Sequence, residues 1–146
     1  MSTAIEKPAD LVGHDLHRVV AGIAPGALHR DEGDHVIVNA DLAKDMRAFK
    51  LRASVCYRKR GRNRYPHSSD WQTRHEWLRQ QGEQHGFDVI HVYTRAGRQR
   101  IKGFVIDATD FIGVLRIKDE ARFQQALAQG IGRVGRAWGM GMLVIN

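Results

Sequence analysis

Residues 49–55 alternate, with Phe49, Leu51, Ala53 and Val55 apolar and Lys50, Arg52 and Ser54 polar between them. That is the period of a strand with one buried face. Asp70 is placed to cap a helix over 71–85, with Trp77 and Leu78 six and seven residues beyond Trp71, and Gly86 stands where a helix ends. FDVIHVY, 87–93, predicts a second strand, and a basic turn, RAGRQRIK, leads out of it. In GFVIDATDFIGVLRI the positions Phe111, Gly113, Leu115 and Ile117 alternate, predicting one long bent strand or two short ones. Asp119 caps EARFQQALAQ, where Phe123, Ala126, Leu127 and Ile131 recur at helical spacing until Gly130 and Gly132 end it, and 140–145 supplies a closing strand.

The order β-α-β-β-α-β predicts an α+β, ferredoxin-like domain over 48–146. Two helices would cover one face of an antiparallel four-stranded sheet. The other face would be left for a partner, such as a second copy in a homodimer, or for the N-terminal segment. Upstream, Leu16, Val19, Val20 and Ile23 predict a short helix capped by Asp15, and HVIVNAD, 35–41, a strand. APGALHRDEGD between them reads as a turn-rich connector, and the first fifteen residues as a loosely ordered arm. Residues 1–47 are too few for an independent domain and form an abbreviated N-terminal segment.

A chain of 146 residues, 42% apolar, buries a core without disulfides or a structural metal. It has no apolar run long enough for a membrane helix and no basic-plus-apolar leader. The lone cysteine, Cys56, lies in an apparent strand and has nothing to pair with, which fits a reducing cytoplasm. The net charge of +7 implies an acidic partner, most commonly nucleic acid. Its placement sharpens this: Arg58, Lys59, Arg60, Arg62 and Arg64 occupy five of seven positions in one loop, and Arg95, Arg98, Arg100 and Lys102 form a second patch. Each patch is also compatible with a plain solvated charge run.

GIGRVGRAWGMGML, 130–143, sets Gly130, Gly132, Gly135, Gly139 and Gly141 around Arg133 and Arg136. Such a turn exposes backbone N–H groups beside guanidinium groups, which suits a phosphate chain. It is neither a Walker A motif nor a dinucleotide fingerprint, because it follows a helix and enters a strand. The competing reading is a flexible connection.

This stretch resembles the C-terminal glycine-rich loop of Cas6e (CasE, Cse3), a family of CRISPR repeat-RNA endoribonucleases in the RAMP superfamily, whose pattern is roughly GIGxxKAxGxGLL, with Arg136 at the usual Lys. FKLRA at 49–53, WLRQQGEQHGFDV at 77–89 and FIGVLRIKD at 111–119 extend the resemblance in order over about a hundred residues. It implies recognition of a CRISPR repeat RNA stem-loop and metal-free cleavage 3′ of the stem to a 2′,3′-cyclic phosphate. It also implies partnership with other Cas proteins of a type I-E-like effector complex, and two tandem ferredoxin-like domains. The family's first helix carries D-[LI]-Y-x-x-H. Here DLHRVV, 15–20, puts His17 at the Tyr position and Val20 at the His position, and the first domain is heavily shortened.

Cleavage of this kind needs a base for the 2′-hydroxyl, an acid for the leaving 5′-oxygen and positive charge near the phosphate. His17, by its alignment, and His14, one turn earlier, are the candidates; the alternative is a solvent-exposed helix start. His67 and His75 would stack on RNA or pack, and His85 and His91 would be structural. No residues have metal-ligand spacing, and no cofactor is implied. The clustered cations would line the groove of an A-form stem, with Tyr57 or Tyr65 stacking at its edge. Three readings stay open: a compact endoribonuclease, a non-catalytic RNA-binding relative, and a protein module that joins or blocks a CRISPR complex. Arg133 and Arg136 favour the first two; Val20 favours the last two.

Overall fold

A computed structural model describes residues 2–145. The larger sheet holds β4 (Met46–Ala53), β7 (Phe87–Arg95), β10 (Thr109–Ile117) and β11 (Leu143–Ile145) in the order β11-β4-β10-β7, with every neighbour antiparallel. Helices α2 (Trp71–His85) and α3 (Glu120–Gln129) cover one face, so β4-α2-β7-β10-α3-β11 reproduces the succession that the residue pattern predicts. The caps behave as expected. Asp70 accepts from the Thr73 N–H at 3.0 Å, Asp119 accepts from the Arg122 N–H at 3.2 Å, and Gly86 closes α2 in the left-handed conformation. The Gly86 carbonyl then accepts the N–H groups of Lys118 and Asp119, seating the start of α3 against the end of α2.

Phe49, Leu51 and Ala53 of β4 and Phe111 and Leu115 of β10 point into this helix-covered core with Phe87, Leu78 and Phe123. Gly113 lies among them on the central strand for a steric reason. A Cβ there would sit 2.0 Å from the His91 carbonyl oxygen, a backbone atom that cannot swing aside. Gly113→Ala is expected to destabilise the fold by about 1–3 kcal/mol, read as a lowered urea midpoint at unchanged slope.

The N-terminal segment is more ordered than the sequence suggests. β1 (Thr3–Glu6) lies within the expected arm and pairs antiparallel with β3 (His35–Val38). α1 (Gly13–Ile23) starts two residues before Asp15, with Val12 as an N-cap that makes no side-chain bond. β2 (His29–Asp31) lies in the expected connector, giving a sheet of order β1-β3-β2. Four and three residues are too short for periodicity to register; these strands exist because β3 supplies hydrogen-bonding partners on both sides. Leu16, Val20 and Ile23 of α1 share one core with Ile5, Val36 and Val38 of the small sheet and with Ala48 and Val114 on the large sheet's second face. Much of the face held open for a partner is therefore covered by the chain's own N-terminal segment.

Both basic loops are hairpins. β5 (Tyr57–Lys59) and β6 (Arg62–Arg64) turn through Arg60 and Gly61, at φ 53° and 75°. β8 (Arg98–Ile101) and β9 (Phe104–Asp107) turn through Lys102 and Gly103, at φ 39° and 94°. Two positive φ angles define the tight type I′ turn, whose usual sequence mark is Asn-Gly or Asp-Gly. Arg-Gly and Lys-Gly conceal it. The segment 104–117 resolves into two strands, β9 and β10, parted at Ala108.

Candidate nucleic-acid interface

Three basic segments leave the large sheet at one end. Ala53 of β4 is paired with Thr109 and Arg95 of β7 with Asp110, so the two hairpins, which follow β4 and β7, project from the same edge. The glycine-rich segment 130–141 returns there too, where the Gly141 N–H donates to the Arg52 carbonyl at 2.7 Å. No Asp or Glu occurs in 46–69, in 89–106 or after Glu120, so each segment is cationic without internal neutralisation.

The β5–β6 hairpin divides its charges. Tyr57 opposes Arg64 and Lys59 opposes Arg62, so these four exposed side chains share one face. Arg58 opposes Asn63 on the other face, toward the glycine-rich loop. Arg133 reaches across, donating to Asn63 Oδ1 at 3.1 Å and contacting Cys56 Sγ at 3.4 Å. Burial pushes the Cys56 thiol up, and Arg133 pulls the other way, so Cys56 is a packing group beneath the arginine rather than a thiolate. Arg58, Arg133 and Arg136 together line a cleft of about 1170 Å³ against α2, beside Trp77 and His85.

The glycine-rich loop is self-bridged rather than a slack connection. The Ile131 N–H donates to the Gly141 carbonyl at 2.8 Å, and a Cβ on Gly141 would stand 2.5 Å from the Ile131 oxygen. Between these points Arg136–Trp138 form one 3₁₀ turn, flanked by left-handed Gly135 and Gly139. Arg136 lies over Gly130 and Gly141, and Met140 packs with Ile101 and Ile106 of the β8–β9 hairpin. Loop and hairpin are thus one block.

The cations of the second patch, and Arg52 of β4 beside them, differ in availability. Arg95 is paired with Asp10, and Arg52 makes a bidentate contact with Asp110 at 2.7 and 3.1 Å. Arg98 and Arg100 are exposed, and Lys102 stands exposed at the tip of the turn. Next to this block, Lys50, Arg52, Arg95 and Tyr93 border a cleft of about 880 Å³ between β1 and the uncovered part of the large sheet.

His14 and His17 lie on the exposed side of α1. The Arg95–Asp10 pair brings the start of α1 to the basic end of the sheet, while Gly22 near its other end rests against His91. The His17 ring lies 5.8 Å from that of His29, centroid to centroid, at an interplanar angle of 42°. His29 escapes a sequence reading because β2 is too short to show a period. In the structure it opposes Val38, whose side chain points to α1, so His29 faces the same way. Asp31, one strand repeat further, shares that face. The Gly33 N–H and the ammonium of Lys7 hold its carboxyl below the usual carboxylate range, with a smaller contribution from His29. Lys7 is itself buried and pairs with Asp31 at 2.9 Å. Val20 is buried in the shared core, so this position presents no polar group to solvent.

The remaining histidines of the basic half differ in their contacts. His75 Nε2 is 2.8 Å from Thr94 Oγ1, and burial lowers its pKa, with a further contribution from His91. Burial also lowers those of His85 and His91, Arg136 adding to the effect on His85. His67 Nδ1 accepts from the Ser69 N–H at 3.2 Å. Tyr57 is exposed, whereas Tyr65 is half-buried against Ile101, Ile106 and Met140, and burial pushes its phenol up. Among the described residues no group of three or more His, Cys, Asp or Glu is arranged to hold a metal ion, and no helix is long and apolar enough to cross a membrane.

A family model described as CRISPR associated protein matches residues 34–146. Among solved structures, Cse3 of Thermus thermophilus, bound to an RNA representing a pre-cleavage complex, superposes with a TM-score of 0.60 at 17% identity, covering 99% of this chain and 97% of that one. Cas6e of Escherichia coli K-12 gives 0.57 at 20% identity, covering 99% and 98%. A chain of a CRISPR RNA-guided surveillance complex gives 0.53 at 24% identity, covering 73% and 60%. At these identities the likeness establishes a shared α+β fold. No curated protein matches significantly in sequence.

Proposed function

This chain belongs to the CRISPR-associated protein family, and from that premise we propose that it binds the stem-loop of a CRISPR repeat RNA and cleaves it without a metal. The observation that carries the reading is the convergence of three carboxylate-free basic segments on one end of the sheet, joined by Arg133 bridging glycine loop to hairpin. A-form RNA hides its base edges in a narrow major groove, so a stem is held through phosphates and shape. Tyr57, Lys59, Arg62 and Arg64 on one hairpin face are equipped for that, and Arg58, Arg133 and Arg136 supply charge behind it. Residues 48–146 act as a ferredoxin-like RNA-binding domain. Residues 1–47 contribute the first four elements of a shortened tandem partner.

The chemistry falls to His17 and His29. One neutral imidazole takes the proton of the 2′-hydroxyl, whose oxygen attacks the adjacent phosphorus. The P–O5′ bond breaks, and the other imidazole, protonated, donates to the departing 5′-oxygen, leaving a 2′,3′-cyclic phosphate. His14, on the same exposed side one turn earlier, is the reserve group. Val20, buried where the family pattern has His, favours the second reading: a non-catalytic relative that holds RNA or joins or blocks an effector complex with other Cas proteins.

A metal-free incubation with a labelled repeat hairpin separates the two. Cleavage that stops when the scissile nucleotide lacks its 2′-hydroxyl establishes the enzyme. Salt-dependent binding without cleavage establishes the carrier, and no binding overturns both. Replacing Arg62 and Arg64 by alanine is expected to weaken binding to all stems alike and to reduce the slope of log K against log salt by about one per arginine, measured by fluorescence anisotropy.

A further inference from the structure

Phe104 and Trp138 are roughly half exposed, at 47% and 44%. They meet edge to face, with centroids 5.7 Å apart at 70°. One stands at the tip of the β8–β9 hairpin and the other on the 3₁₀ turn of the glycine-rich loop. Large aromatic rings are costly to leave in water, and neither belongs to the clustered apolar core. The backbone beneath them is braced: Ile101 and Ile106, on the hairpin face that carries Phe104, pack on Met140 of the loop. Lys102 and Arg136 each lie two residues along the chain from one of the rings, in segments without a carboxylate.

We propose that Phe104 and Trp138 form a stacking platform for an unpaired nucleobase flanking the RNA stem, an inference that rests on the RNA-binding reading above. Every base has a π-face, and neighbouring cations would hold the phosphate next to it. A protein partner would fit the exposed rings, but the two segments that carry them are basic and have no carboxylate in 89–106 or after Glu120, which favours a polyanion. The platform occupies the edge from which the stem-binding hairpin also projects, so a strand leaving the stem base is the nucleotide within reach.

The test compares three hairpins sharing one stem: blunt, with a 5′ overhang and with a 3′ overhang, the overhangs carrying 2-aminopurine. Their affinities are measured by competition for wild type, Trp138→Ala, Phe104→Ala and Trp138→Phe. At least one overhang is expected to tighten wild-type binding about fivefold or more over the blunt hairpin, with quenched 2-aminopurine emission. Trp138→Ala and Phe104→Ala should erase that increment and leave blunt binding within about twofold, and Trp138→Phe should retain most of it. Intact blunt binding with no overhang increment, or an increment unchanged in Trp138→Ala, overturns the platform alone. Failure to bind even the blunt hairpin overturns the RNA reading and the platform with it.

Discussion

Alanine at His17 or His29 is expected to slow hairpin cleavage by about 10²–10⁴-fold while leaving hairpin affinity within about twofold. Both rings are accessible and neither is part of a buried core, so folding should survive each change. Two further readouts separate chemistry from structure. A proton-transfer pair acts as a unit, so the double variant should be hardly slower than the worse single one. The wild-type pH–rate profile should be bell-shaped, and each single variant should lose one limb. Because the alanine at 17 vacates an exposed place and that at 29 a half-buried one, added imidazole should restore part of the rate, more readily for His17→Ala. A His29→Ala variant that cleaves at the wild-type rate would exclude the pair and return the second role to His14.

The largest expected loss of stability follows Asp107→Ala. Asp107 and Arg74 are buried together, their side chains 3% and 2% exposed, with 2.7 Å between Oδ1 and Nη2. Asp107 also accepts from the Val55 N–H at 3.0 Å and the Thr109 hydroxyl at 2.6 Å. Arg74 further donates to Thr109 Oγ1 at 2.9 Å and to the carbonyls of His67 and Asp70 at 2.6 and 2.9 Å. One network therefore ties the exit of β4, the entry of α2 and the break between β9 and β10, the places from which both basic hairpins grow. Alanine at 107 strands a guanidinium charge away from water and should cost about 3–5 kcal/mol in urea unfolding. Pairing Asp107→Leu with Arg74→Met should cost clearly less than the two single changes added, because no unpaired charge then remains. A loss under about 1 kcal/mol for Asp107→Ala would mean that water reaches the pair.

That network shows why some of this molecule is legible in its residues and some is not. Helix α2 is announced by Asp70, Trp77, Leu78 and Gly86, and its bounds agree with the structure. In the same helix Arg74 reads as a solvent charge, and nothing in the spacing says that it will be buried under an aspartate 33 positions away. The cationic loops were evident as charge, and the second as a basic turn between strands, but the tight turns within them were not, since Arg60-Gly61 and Lys102-Gly103 lack the amide or carboxylate that usually marks a type I′ turn. His17 stood out through its alignment with a family pattern. His29 became a candidate only when the β2–β3 register turned it toward α1.

Periodicity, caps and charge clustering are local properties, and here they were enough for the β-α-β-β-α-β order and the basic character of three segments, while short residue motifs carried the CRISPR-associated resemblance. Which face of the large sheet α1 would cover, which arginines would be paired off and which would stay free, and which histidines would meet all depend on contacts between residues far apart in the chain. Such contacts are selected by burial and register during folding, and a one-dimensional pattern carries no record of them.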